Sequence, residues 1–255
     1  MIPRIIHQTW KTREIPEKWQ SAVQTCKEMH PDYEYILWTH ETMEEFVKTE
    51  YPSFYKTYTG YKYDIQRCDA FRYLVLCKYG GIYLDLDIVC KKKLEPLLRY
   101  DLVLGKSSNI SFWYANSFFM VIPQHPFIKF CIEQLPHYSE SFVYFGKHNH
   151  IYNSTGPLFL TKIIAKYKNI PNIYVLSHDE FTGDCNVCNL NNCQGGVYFN
   201  HIIGKSWHSW DSTFYDAVLC NYKWILLVVL LIGGGWVYKK KKGNLRVKVG
   251  RKLKY

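Results

Sequence analysis

Asp85 and Asp87 stand two apart at the end of an apolar run, and Asp69 and Arg72 stand three apart just before it. Carboxylates in apolar surroundings are costly to bury unpaired. A divalent cation relieves that cost. Hard cations take oxygen ligands, and Mg2+ is typically held by one or two carboxylates together with substrate phosphates. The chemistry this set points to is metal-assisted handling of a diphosphate. An Asp-x-Asp alone would say little, since such pairs are common on solvated loops; its surroundings give it weight.

Those surroundings run from Asp64 to Val89. Asp64–Tyr79 reads as a helix that carries Asp69 and Arg72 on one face. Gly80 and Gly81 end it, as glycine does where the backbone leaves the right-handed helical region. Ile82, Leu84, Leu86 and Ile88 then alternate with Tyr83, Asp85 and Asp87, the period of a strand. On this reading both carboxylates and Tyr83 share one strand face.

The rest of the first 216 residues alternates strand and helix patterns. Strands are expected at Arg4–Thr9, Glu34–Trp38, Leu102–Gly105, Ser117–Ile122, Ile173–Leu176 and Val197–His201. Helices are expected at Pro16–Met29, Glu41–Lys48, Pro52–Tyr58, His125–Gln134 and Gly156–Lys168. Such alternation predicts an α/β fold, a largely parallel sheet with helices on both faces. Ligands of such sheets bind beyond the carboxyl ends of the strands. That rule brings Gln8, Thr9 and Trp10 to the same rim as Asp85 and Asp87. His7 reads as a buried structural histidine.

Charge excludes one function class. The net charge of +10 is misleading, because nine of the 32 Lys and Arg lie in residues 239–255, which hold no acid. The remaining 23 meet 22 acidic residues, so the folded part has no basic excess for nucleic acid. The surplus follows an apolar run, Trp224–Tyr238, and points to a membrane surface. That run has 15 residues, fewer than the ~20 that cross a bilayer core. Extending it back to Ala217 gives 22 residues and includes Asn221 and Lys223. The expected organisation is a folded domain at 1–216, a membrane anchor at 217–238 and a basic tail at 239–255; a buried hydrophobic hairpin is the alternative to the anchor. The basic tail favours the cytosolic side by the positive-inside rule, which places the domain in a Golgi- or endoplasmic-reticulum-type lumen. The strand-like start at Met1, without a signal peptide's pattern, argues the opposite. Both readings stay open.

Cys26, Cys68, Cys77, Cys90, Cys131 and Cys220 sit in apolar surroundings and read as small core residues. Cys185, Cys188 and Cys193 form a polar cluster that either binds zinc or forms a disulfide. Asn109-Ile-Ser111 and Asn153-Ser-Thr155 are glycosylation sequons that matter only in a secretory compartment.

Several segments together resemble glycosyltransferase family 32: Ile2–Trp10, Tyr33–Trp38, the Asp64–Val89 unit, Asn116–Met120 and Gly204–Asp211. The family includes initiation-specific α-1,6-mannosyltransferases and inositol phosphorylceramide mannosyltransferases; the sugar-transferase domain of large clostridial toxins is a more distant likeness. The resemblance implies a GT-A fold, a nucleotide-sugar donor, Mn2+ or Mg2+, and retention of anomeric configuration. It makes Asp87 and Asp85 metal ligands, with His208 as a late third one. Arg72 and Asp69 would hold the donor sugar, Trp10 would stack on the base, and Tyr83 and Asn116 would touch donor or acceptor. Trp207 or Trp210 would cap the diphosphate, and Asp211 is a weaker candidate for a base. The expected reaction moves a hexose, mannose from GDP-mannose in the first instance, to a lipid or glycan hydroxyl, a sphingolipid being favoured by the apolar tail. A UDP-sugar transferase with a glycan or protein acceptor is the alternative. The intact acidic set argues against a non-enzymatic membrane scaffold.

Overall fold

The computed structural model describes residues 1–252 apart from 108–112, 141–145, 168–169, 186–187, 190–192 and 203. The Asn109 sequon, the expected helix end at Lys168 and the last three residues of the basic tail lie outside the described residues. In chain order the elements are β1 (Ile5–Thr9), α1 (Glu17–Met29), β2 (Glu34–Trp38), α2 (His40–Glu50), α3 (Pro52–Gly60), α4 (Asp64–Tyr79), β3 (Gly81–Leu84) and β4 (Ile88–Cys90). They continue with β5 (Leu102–Lys106), β6 (Tyr114–Val121), α5 (Pro126–Glu140), α6 (Lys147–Ser154), α7 (Pro157–Lys166), β7 (Ile173–Leu176), α8 (His178–Phe181), β8 (Phe199–His201) and α9 (Trp210–Lys252). The chain divides into two units, Met1–Asp211 and Ser212–Tyr255.

The first unit is built on a six-stranded sheet of order β2-β1-β3-β6-β5-β7. The sheet is mostly parallel, as the alternation predicts: β1 runs with β2 and β3, and β5 with β7. β6 runs against both of its neighbours. Only seven residues join β5 to β6, and a parallel return needs a crossover of about a dozen or more. Tyr83, Leu104, Phe119 and Val121 point into a core with α4, α5 and α7. Ile82, Leu84, Val103, Phe118 and Met120 point into a second core with Phe181 of α8 and Phe199 of β8. α4 is buried nearly all round from Asp69 to Cys77, the pattern of a core helix.

One expectation is corrected at the centre. The alternating run Ile82–Ile88 is not one strand. β3 ends at Leu84, and a turn follows in which the Ile88 N–H donates to the Asp85 carbonyl. The chain then enters β4, which pairs with β8 in a separate two-stranded sheet. Asp85 and Asp87 therefore lie on a corner between two sheets. Apolar alternation survives on both sides of that corner, which is why the sequence reads as continuous. Gly80 ends α4 with φ +65°, and a Cβ there would lie 2.6 Å from the Pro123 nitrogen. Only glycine fits both demands.

The cysteines are also corrected. Cys26 of α1 and Cys90 of β4 are joined in a disulfide rather than standing as free core thiols. Cys185 and Cys193 form a second disulfide, which answers the choice between zinc and disulfide for those two. Cys68, Cys77 and Cys131 are free; Cys220, expected in the core, is instead exposed on α9 and disulfide-bonded. Asn153 is buried and fully used: its amide donates to Asn149, and its oxygen accepts from Lys162 Nζ at 2.6 Å. The second sequon is therefore inaccessible.

The second unit is the bulk of one continuous helix, α9, whose Trp210–Gly234 stretch is long and apolar enough to cross a membrane. The helical backbone runs on through the basic segment to Lys252.

Candidate active site

The rim at the carboxyl ends of β1 and β3 holds Thr9 and Trp10 beside Asp85, with Asp87 two residues on. β6 runs the opposite way, so its early residue Asn116 reaches the same rim; the Asp85 N–H donates to the Ser117 carbonyl at 2.9 Å.

Beneath the rim lies a buried polar cluster. Asp69 Oδ1 accepts from Arg72 Nη2 at 2.8 Å and from Asn116 Nδ2 at 3.1 Å. Asp69 Oδ2 accepts from Thr155 Oγ1 at 2.9 Å. The i, i+3 spacing on α4 puts acid and base on one face, and α6 ends where Thr155 can close the set. Burial pushes the Asp69 carboxyl up to about 6, against the pull of Arg72, Thr155 and Asn116.

Arg72 is 2% exposed. Burial disfavours its charge, yet the facing tyrosine and acids hold its pKa above the ordinary arginine value. Its guanidinium donates to the Asn116 carbonyl, lies 3.6 Å from Asp85 Oδ1 and sits over the Tyr83 ring at 4.6 Å. Its Nε is buried without a partner.

Asp85 and Asp87 are placed differently. Asp85 is 33% exposed at the rim. Its carboxyl is raised by packing and by Asp87, with Arg72 and the Tyr83 hydroxyl opposing. Its turn is fixed from behind: Gln8 Nε2 donates to the Asp85 carbonyl at 3.3 Å, and Tyr35 donates to Gln8 Oε1 at 2.7 Å. Asp87 Oδ2 lies 3.2 Å from His201 Nε2, while Asp87 Oδ1 is buried with no partner. Packing disfavours a charged His201, but the Asp87 carboxylate outweighs it and lifts the imidazole above its usual 6.5. A side chain at Gly204 would collide with Asp87 Oδ2, so that position keeps the carboxylate's space open.

The imidazole at Asp87 is therefore His201 of β8. His208 packs elsewhere, 4.7 Å from the Trp207 ring and 6.2 Å from His148. Trp207 also faces His148 and Tyr152. Trp210, the first residue of α9, is 74% exposed. Asp211 is occupied structurally: its Oδ2 accepts the His148 N–H at 2.7 Å, capping α6 from outside that helix. Tyr83 is fully buried, and its hydroxyl meets Asp85 Oδ1 and Thr9 Oγ1. Any part it plays passes through Asp85. Trp10 is half-buried, edge-on to Trp19 at 4.8 Å, and packs in the small cluster that holds Leu86 of the acidic turn. His7 is buried as expected, its Nε2 on the Gly80 carbonyl and its Nδ1 accepting from Trp38 Nε1.

Sequence reasoning brought Gln8 to the rim but missed His201, Thr155 and Tyr35. For His201 there was a signal, a histidine at a strand end three residues before Gly204. Thr155 was hidden inside a sequon.

By type the donors suit a hard or borderline cation: two carboxylates, one with a buried unpaired oxygen, and an imidazole paired with that carboxylate; they are not drawn together into a three-ligand cluster in this structure.

The family model described as "Glycosyltransferase sugar-binding region containing DXD motif" matches residues 16–104. Inositol phosphoceramide mannosyltransferase 3 of Schizosaccharomyces pombe is 40% identical over 229 residues, covering 90% of this chain and 62% of that protein. Mannosyl phosphorylinositol ceramide synthase SUR1 of Saccharomyces cerevisiae is 47% identical over 168 residues, 66% of this chain and 43% of that one. Inositol phosphoceramide mannosyltransferase 1 of S. pombe is 36% identical over 236 residues, 90% of this chain and 70% of that protein. The chain thus spans about half of the length of the first two of these relatives.

Proposed function

Because this chain belongs to the DXD-containing glycosyltransferase family of the inositol phosphoceramide mannosyltransferases, we propose that it transfers mannose from GDP-mannose to a hydroxyl of a phosphoinositol-bearing sphingolipid. The observation that carries this reading is the stacking of two sites at one rim. Asp85 is one third exposed at the rim with the Asp87–His201 pair beside it along the chain, and the buried Asp69–Arg72–Asn116 set reaches it through Arg72, 3.6 Å from Asp85.

Asp85, Asp87 and His201 would hold Mn2+ or Mg2+. When bound, the ion neutralises and orients the donor's diphosphate as a Lewis acid. The remaining work falls to side chains. Asp69 accepts hydrogen bonds from sugar hydroxyls while Arg72 keeps it ionised. The Arg72 guanidinium, 3.6 Å from Asp85 Oδ1, supplies a fixed positive charge behind the rim, where a preorganised charge acts without reorganising. Trp10 offers a ring face to the base beside the acidic turn. Tyr83, Thr9, Gln8 and Tyr35 fix Asp85 so that the donor meets a rigid rim. Retention of configuration belongs to the same reading.

The apolar stretch of α9 supports a single membrane anchor near the lipid acceptor's own phase, in a Golgi- or endoplasmic-reticulum-type membrane. The Cys26–Cys90 and Cys185–Cys193 disulfides support an oxidising side for the domain.

The test is transfer of radiolabelled mannose from GDP-mannose to phosphoinositol ceramide by the full chain in detergent, with Mn2+ and with chelator. Metal-dependent product is expected. Transfer from UDP-sugars alone, or turnover indifferent to chelator, would reject the donor or the metal assignment respectively.

A further inference from the structure

α4 and α6 share more than the buried cluster. α6 is bolted to α4 at its carboxyl end: Gln66 Nε2 donates to Ser154 Oγ at 2.7 Å, and Thr155 holds Asp69. At the start of α4, facing the first turns of α6, is a second group of residues that the transfer chemistry does not use. Tyr63 caps the start of α4, its N–H donating to Gln66 Oε1. Its ring has Lys62 Nζ at 5.3 Å and Lys147 Nζ at 5.5 Å from the centroid, and the His150 ring meets it edge-on at 5.8 Å.

Neither lysine forms a salt bridge among the described residues, although acidic and basic residues are nearly balanced outside the tail. Burial, and after it Lys62, hold the His150 imidazole below its usual value. Two ammonium groups gathered at one aromatic ring, with a half-buried imidazole beside them, form a seat for an anion. The distance to the sugar-holding acid is set by helix geometry. Six residues of α4 separate Tyr63 from Asp69, about 9 Å of helical rise. One polyol ring with its phosphate bridges that span.

We propose that Lys62, Tyr63, Lys147 and His150 seat the phosphodiester of the acceptor headgroup, so that the ring it carries is presented to the sugar held at Asp69 and Arg72. This rests on the transfer reading above and adds to it a specificity-determining site. The chemistry required is a polyol phosphodiester.

The experiment uses the full chain in neutral detergent micelles with two acceptors: phosphoinositol ceramide, and an uncharged ether analogue that lacks only the phosphate. The readout is the ratio of the two kcat/KM values. The native chain should favour the phosphodiester, and Lys62→Gln/Lys147→Gln should lower that preference about tenfold to a hundredfold, mainly through KM. Lys62→Arg/Lys147→Arg should restore most of it, which a merely structural role for the lysines would not produce. Soluble inositol 1-phosphate should compete with the lipid in the native chain and lose that ability in the glutamine variant. A ratio near one in the native chain, or an unchanged ratio in the glutamine variant, overturns the proposal. Competition by inorganic phosphate as strong as by inositol 1-phosphate also overturns it, because the seat would then be a generic anion site. If the native chain transfers to neither acceptor, the transfer reading itself fails and this proposal falls with it.

Discussion

The Tyr83 hydroxyl donates a 2.9 Å hydrogen bond to Asp85 Oδ1, and Thr9 Oγ1 meets the same hydroxyl at 3.0 Å. A fully buried phenol thus aims a carboxylate that is one third exposed. Tyr83→Phe removes one hydrogen bond to a charged group, worth ~1.5–3 kcal/mol. The expected result is a drop of about tenfold or more in kcat, with the KM for donor nearly unchanged and the fold intact. A fall in melting temperature with unaltered kcat would mean that the tyrosine only packs.

His201 and His208 make opposite forecasts. His201 faces Asp87 Oδ2 at 3.2 Å, whereas His208 packs on Trp207. His201→Ala should weaken Mn2+ affinity by about tenfold to a hundredfold, and Asp87→Asn should weaken it at least as much. His208→Ala should leave it within about twofold. The reading is the Mn2+-dependent rise in melting temperature of the donor complex. A reversal of the two histidines would reassign the third ligand.

His7 should make the fold acid-sensitive. Burial holds its imidazole down to about 4 from the ordinary 6.5, despite its bond to the Gly80 carbonyl. The folded state therefore binds fewer protons than the unfolded chain between those values, and stability falls as pH drops from about 6.5 to 4, by roughly 3 kcal/mol in all. Asp69, raised to about 6 from 3.8, acts in the opposite sense across its own window. The comparison must therefore be by difference: His7→Gln should flatten the pH dependence of the melting temperature between 6.5 and 4. Parallel curves for the two chains would contradict it.

The Cys26–Cys90 disulfide spans a sequence separation of 64. Closing a loop of that size restricts the unfolded chain by about 4 kcal/mol in the chain-entropy relation. Cys90→Ser, or a reductant at neutral pH, should lower the denaturation midpoint accordingly. Equal midpoints with and without reductant would show that the bond is absent or of no consequence.

The helix, double glycine and acidic pair were legible because each depends on near neighbours. Asp69 and Arg72 meet at a spacing of three, Gly80 answers a local backbone demand, and apolar alternation marks buried strand whatever the partner. The α/β class and mostly parallel sheet followed from the same periodicities. The antiparallel course of β6 did not, since strand direction depends on the length of its connection.

What the sequence determined by itself was therefore a set of chemically able residues on identifiable elements. Which of them meet was decided only by the tertiary structure. Asp87 is joined by His201 and not His208, Asp69 by Thr155, and Asp85 by Tyr83, Thr9 and Gln8. Most of these partners lie some 70 to 110 residues away along the chain. Side-chain periodicity reports which face of an element is buried, and carries no information about which distant element buries it. The corner at Asp85–Asp87 shows the same limit, because a chain that leaves one sheet for another keeps the alternation of both.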